Sequence, residues 1–93
     1  MDHTAQANAL LDTLKTTLRI DGDDENLIQY LLRSMNRLDT LAGAPVDYLS
    51  DLEAQELLFN RIRYDYNTSL EYWEENFSQP ILSFMMRYGV DSL

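Results

Sequence analysis

Apolar residues along this chain recur at intervals of three and four and seldom alternate at two, the spacing that turns one face of a helix inward. A first stripe, Ala7, Leu10, Leu11, Leu14 and Leu18, predicts a helix over residues 5–19, with Asp12 and Lys15 turned outward and an end before Gly22. A second helix begins in DGDDEN, where Asp23 or Asp24 can accept first-turn N–H groups while the acidic cluster meets the positive helix end. Leu27, Ile28, Leu31, Leu32, Met35, Leu38 and Leu41 form its buried face. AGAP stops it, since Gly43 suits a left-handed cap and Pro45 disfavours helical geometry in the residue before it.

Ser50 and Glu53 have the spacing of a capping box and predict a third helix from near Asp51. At 100° per residue, Leu52, Leu58, Phe59, Ile62, Tyr66, Leu70, Trp73 and Phe77 share one arc of about 120°. The stripe thus passes unbroken through Asn67, Thr68 and Ser69 and predicts one helix over 51–77, about 40 Å long. Those three residues are weak helix formers, so a kink there is the main way to break the rod. In the apolar last segment, SQPILSFMMRYGVDSL, Pro80 fits the first turn of a helix or an extended tail. The expected fold is all-α: one small domain over 1–93 with three main helices, the third long, and a short C-terminal helix or extended tail. Residues 1–5 and 89–93 are expected to be mobile.

Two surfaces stand out on this scaffold. Leu57, Arg61, Tyr64, Thr68, Tyr72 and Glu75 form a line opposite the core-facing arc of the third helix, mixing amphipathic rings with charge as protein interfaces do. The second helix carries an outward patch of Tyr30, Arg33 and Arg37. Arg33 and Arg37 of one subunit are expected to meet Glu71 or Glu75 of the next, a head-to-tail contact that closes into a ring. The plain alternative is solvated helix faces with scattered tyrosines. Near the C-terminus, Ile81, Leu82, Phe84, Met85, Met86 and Tyr88 are too apolar for a free tail, so they fold back onto the long helix or dock on a neighbour.

Composition narrows the chemistry. Sixteen acidic residues against seven basic ones give a net charge of -9, which repels phosphate backbones and suits a channel that DNA slides through without specific binding. There is no cysteine, hence no disulfide and no thiolate metal site. No apolar run reaches the roughly 18 to 20 residues of a membrane span, and MDHTAQANALLDTLK lacks a basic signal-peptide start, so a soluble, unexported protein is expected.

DGDDEN fails as an EF-hand loop, because counting from Asp21 puts Asn26 at the sixth position and Leu32 at the twelfth. His3, the one histidine, lies in a polar terminus with nothing nearby to orient it as a base, and Lys15 has no partner serine at helical spacing. No catalytic residue, cofactor or metal is expected.

LKTTLRIDGDDENLIQYLLRSM, followed later by NRIRYDYNTSLEYWEENF, resembles the head-tail connector proteins of tailed bacteriophages, also called adaptor or head-completion proteins. The likeness covers about residues 10–80, and the aromatic and acidic YN..LEYWEENF signature of the family's long helix is its more specific part. SQPILSFMMRYG is not aligned by it. The resemblance implies a structural virion protein, a ring of subunits at the head-tail interface, assembled in the host cytoplasm. Its partners would be the portal protein and a further connector or tail protein. In that setting the C-terminal apolar run would engage the portal or a neighbouring subunit. The competing reading is a small acidic regulator that binds a host enzyme, as an inhibitor or a DNA mimic.

Overall fold

Residues 3–89, the described part of a computed structural model, hold five α-helices and one 3-10 turn: α1 (Thr4–Leu18), α2 (Asp24–Ala42), α3 (Leu52–Tyr66), the 3-10 turn Leu70–Tyr72, α4 (Trp73–Asn76) and α5 (Ser78–Gly89). The ends expected to be mobile at residues 1–2 and 90–93 lie outside the described residues. Of the remaining residues in those ends, Thr4 and Ala5 belong to α1, Gly89 closes α5, and His3 is buried.

The two N-terminal helices follow the hydrophobic pattern closely. Asp23 takes the N-cap position of α2 with extended backbone, but its side chain accepts no helix N–H. The acidic first turn, Asp24 and Glu25, therefore acts on the helix end through charge. Gly43 closes α2 in the left-handed region at φ 73°, where its N–H and that of Ala44 reach the Asp39 carbonyl at 2.9 and 3.3 Å. On the core side of α2, Ser34 and Ala42 are buried with Leu27, Leu31, Met35 and Leu38, whereas Ile28, Leu32 and Leu41 are only partly covered. The capping box at Ser50 is not formed. Asp51 caps α3 instead, its Oδ1 accepting the Ala54 N–H at 3.1 Å, and Glu53 points to solvent beside Arg87.

The single rod expected over 51–77 is broken. α3 ends at Tyr66, and Thr68 adopts φ 55°, in the left-handed region that β-branched residues avoid. Its N–H reaches the Asp65 carbonyl at 3.1 Å and the Ser69 N–H reaches the Tyr64 carbonyl at 2.8 Å, the paired closure that glycine ordinarily supplies at a helix end. The strain costs about 1 to 2 kcal/mol. Burying an indole of roughly 200 Å² returns about 4 to 6 kcal/mol, and Trp73 is only 1% exposed because the chain turns back at Thr68. A straight continuation would carry Trp73 about 10 Å beyond Tyr66, away from the core. Tertiary burial outweighs local helix continuity here.

The return path explains the other departures. The C-terminal segment resolves to a helix, α5, with Pro80 in its first turn, where a missing N–H breaks no helical bond. α5 packs on both α2 and α3. With the residues leading into it, α5 covers part of the α3 side expected to face another subunit: Leu57 is buried near α5, and Tyr64 is half-buried against Asn76 and Phe77. Leu52, assigned to the core-facing arc, is 70% exposed instead.

Candidate subunit interface

Among the residues expected to form an interface, α2 and α3 bring the three arginines to one seam. Arg33 lies over the Tyr30 ring at 4.8 Å and reaches Asp65 at 3.4 Å, while Tyr30 also packs against Tyr66 at 5.8 Å. One helical turn on, Arg37 meets Glu74 at 2.9 Å. Both arginines therefore have carboxylates within their own chain, and Glu71 and Glu75, the acids expected to meet them across an interface, are exposed on the surface. Exposed pairs of this kind contribute about 0 to 1 kcal/mol, so they hold the seam loosely.

Arg61 sits deeper. Its guanidinium donates to Ser34 Oγ at 2.8 Å and stands 5.4 Å from the centre of the Trp73 ring. Burial pushes it below the ordinary arginine value, partly offset by Asp65. Arg61 Nε–H and Trp73 Nε1–H are both buried and meet no acceptor among the described residues. Tyr64 packs edge-on to Phe77 at 5.5 Å, and its hydroxyl accepts from Asn76 at 3.1 Å. Of the expected outer line, Thr68, Tyr72 and Glu75 are exposed, whereas Leu57, Arg61 and Tyr64 are used internally.

The apolar run of α5 divides by helical position. Ile81 and Phe84 are in the core, and Tyr88 packs on Phe84 at 5.1 Å. Leu82, Met85 and Met86 lie outside at 50%, 37% and 60% exposure. Leu82 and Met85 line a shallow groove of about 370 Å³ between α2 and α5, with Leu41 and Ile81 in its wall and Arg37 and Glu74 beside them.

At its far end α5 is fastened to the start of α3. Asp51 accepts from the Tyr88 hydroxyl at 2.5 Å and from two Arg87 nitrogens at 3.1 and 3.3 Å while capping α3. Burial acts to raise the Asp51 carboxyl, but the Tyr88 hydroxyl, the Ala54 N–H and Arg87 together hold it below its usual range. Tyr88 is in turn pushed up to about 12, first by burial and then by its bond to Asp51.

A second cluster escaped the sequence pattern. His3, read as part of a free polar terminus, is 4% exposed, with Nε2 at 2.5 Å from Asp39 Oδ2. Gln6 Oε1 takes the Tyr48 N–H at 2.7 Å, which turns the Gln6 amide NH2 toward His3 Nδ1 at 3.1 Å. The network therefore assigns Nδ1 as acceptor and Nε2–H as donor to Asp39. Asp39 Oδ1 also accepts from the Tyr48 hydroxyl at 2.8 Å and the Val46 N–H at 3.2 Å. Burial drives the Tyr48 phenol far above its ordinary value, aided by its bond to Asp39. Both imidazole nitrogens are engaged and the ring is enclosed, so the group acts as a clip that ties the start of α1 to the end of α2. The only sequence signal for it was one buried-type tyrosine in the loop, with its partners 9 and 42 residues away.

The acidic turn at Asp23, Asp24 and Glu25 is open and exposed, with Lys15 paired to Asp24. Among the described residues no group of three or more His, Cys, Asp or Glu side chains could hold a metal ion, and no helix is long and apolar enough to cross a membrane. Comparisons of the chain with family models, curated proteins and solved structures return no match.

Proposed function

We propose that the chain is a structural subunit of a phage head-tail connector, forming a ring below the portal that joins head to tail and extends the DNA channel. The observation that carries this reading is the outer flank of α5. Leu82, Met85 and Met86 are exposed together beside an apolar groove, on a domain whose arginines and tyrosines are mostly engaged in holding its own helices. A small acidic domain with such a flank is suited to meeting other protein surfaces. The net charge of -9 favours passage of DNA over capture of it. The two motifs that resemble connector proteins map onto α1–α2 and onto α3 through α4, so the resemblance spans the scaffold that presents α5.

In this reading α5 supplies contact to the portal or a neighbouring copy, and Tyr72 and Glu75 are exposed on the same C-terminal arm. No group acts as a catalyst. The experiment is to mix the purified protein with portal assemblies of the cognate phage and image the product. A ring added beneath the portal, and its loss with Leu82→Glu plus Met86→Glu in a variant that keeps its helicity, is the expected result. A monomer that ignores the portal, or one that binds a host enzyme one-to-one, overturns the reading.

A further inference from the structure

We propose that the segment from Leu70 through α5 exchanges between copies: the hinge Asn67–Ser69 opens, and the arm of one chain fills the α2–α3 surface of the next. This deepens the connector reading and rests on its premise of self-association. Three observations carry it. The first is the hinge itself, three residues long, with Thr68 held at φ 55° in a conformation that only the fold-back imposes. The second is the periodicity: Leu58, Phe59, Ile62 and Tyr66 of α3 share one helical arc with Leu70, Trp73 and Phe77 beyond the hinge. A helix continued through the hinge would thus keep these apolar residues on one face. The third is complementarity, because the surface already accepts this arm within the chain and an identical arm fits it equally.

An opened arm cannot stay free. Trp73, Ile81 and Phe84, each under 10% exposed in the closed chain, would all become wet. The identical surface on a second copy restores their burial, the Arg61–Trp73 stacking and the Asp51 latch with Arg87 and Tyr88. What changes is the hinge, which loses its strain, and the freedom of two chains, which is lost on association. Short strained hinges of this kind favour exchange, and a head-to-tail exchange closes into a ring whereas a reciprocal one stops at a dimer.

The absence of cysteine makes a direct test simple. Glu56 and Ser83 line the groove of about 240 Å³ between α3 and α5 from opposite walls. Chains carrying Glu56→Cys are mixed with chains carrying Ser83→Cys, allowed to assemble alone and on portal, and treated with a short bis-maleimide. Exchange predicts a covalent product joining the two chain types. In the double variant it predicts a shift from internal to interchain cross-linking on assembly.

Replacing Asn67, Thr68 and Ser69 by alanine is expected to raise the interchain fraction about tenfold, and Thr68→Gly, which relieves strain in the closed chain, to lower it by a similar factor. Rings that form with only internal cross-links overturn the exchange and leave the connector reading standing. Interchain product in a dimer that never binds portal supports the exchange and sinks the connector reading. Hinge variants that leave the internal-to-interchain ratio unchanged also overturn the exchange.

Discussion

The clip at His3 and the hinge at Thr68 both fasten an outer segment to the α2–α3 pair, yet they do so by different means. At the clip, both imidazole nitrogens, both Gln6 amide atoms and both Asp39 oxygens are engaged, and Tyr48 is fully enclosed. At the hinge a threonine takes a glycine's conformation, and in the arm's seat two buried donors, Arg61 Nε–H and Trp73 Nε1–H, meet no acceptor among the described residues. A satisfied polar network specifies one arrangement, because any displacement leaves several groups unpaired at once. A bulky indole held mainly by burial is bound strongly but less uniquely, since an equivalent apolar surface serves as well. The difference divides the molecule into a fixed N-terminal part and a C-terminal arm able to change partners.

The largest effect is expected from Trp73→Ala. Emptying the site that justifies the turn at Thr68 should cost about 3 to 5 kcal/mol in denaturant unfolding, with α4 and α5 losing protection first. Asp39→Ala comes next: it strands the His3 Nε2–H and Val46 N–H donors, while the Tyr48 hydroxyl can turn to the Met35 carbonyl at 3.1 Å, and it should cost about 2 to 3 kcal/mol. If that loss is spread evenly over the protein and not centred on the start of α1, the clip is not the local device described.

Asp51→Ala removes the α3 cap and the α5 latch together, and a loss of about 1 to 2 kcal/mol is expected near neutral pH. The sign of its pH dependence follows from the depressed carboxyl. A group held low in the folded state stabilises fully above its unfolded value of about 3.9 and loses that contribution as pH falls through the folded value. The Asp51 contribution, read as the stability margin of wild type over Asp51→Asn, should therefore be flat above about pH 5 and shrink as pH falls below about 4. Asp47, also held low, by the Ser50 hydroxyl and the Leu49 N–H, belongs to the same acid limb.

Thr68→Gly sharpens the comparison in the opposite direction. Relief of the left-handed strain, less the entropy of an added glycine, should stabilise the closed chain by about 0.5 to 1 kcal/mol in thermal unfolding. A destabilised Thr68→Gly would mean that the hinge is not strained. The smallest effect is expected from Arg33→Ala, because its pair with Asp65 is long and its side chain 56% exposed; a change under about 0.5 kcal/mol is expected.

How much of this could be read from the chain follows from the range of the forces involved. α1, α2 and the Gly43 stop were legible because an apolar stripe and a glycine act locally. The hinge was legible only as the weak point of the rod: Asn67, Thr68 and Ser69 are poor helix formers, but they contain no glycine or proline and the stripe continues past them with its phase intact, so one helix was expected. What breaks the helix is the distant surface that buries Trp73, and no spacing rule reports that. The α3 cap was misplaced by one residue because Ser50 and Asp51 are adjacent cap formers and only the tertiary bonds to Arg87 and Tyr88 favour the second.

For the candidate interface, the contacts that the chosen aromatic and basic residues make within their own chain were not legible. Tyr64 and Leu57 face α5 or its approach, and Arg61 faces Trp73, because the chain doubles back. The His3 clip joins residues 36 positions apart, beyond any local pattern.

Amide hydrogen exchange under native conditions tests the division most directly, because it measures the opening free energy of each helix separately. Amides of α4 and α5 should exchange together through a partial opening well below the global unfolding free energy, while those of α2 and the clipped start of α1 should exchange only with global unfolding. Equal opening free energies across α1, α2 and α5 would contradict that division.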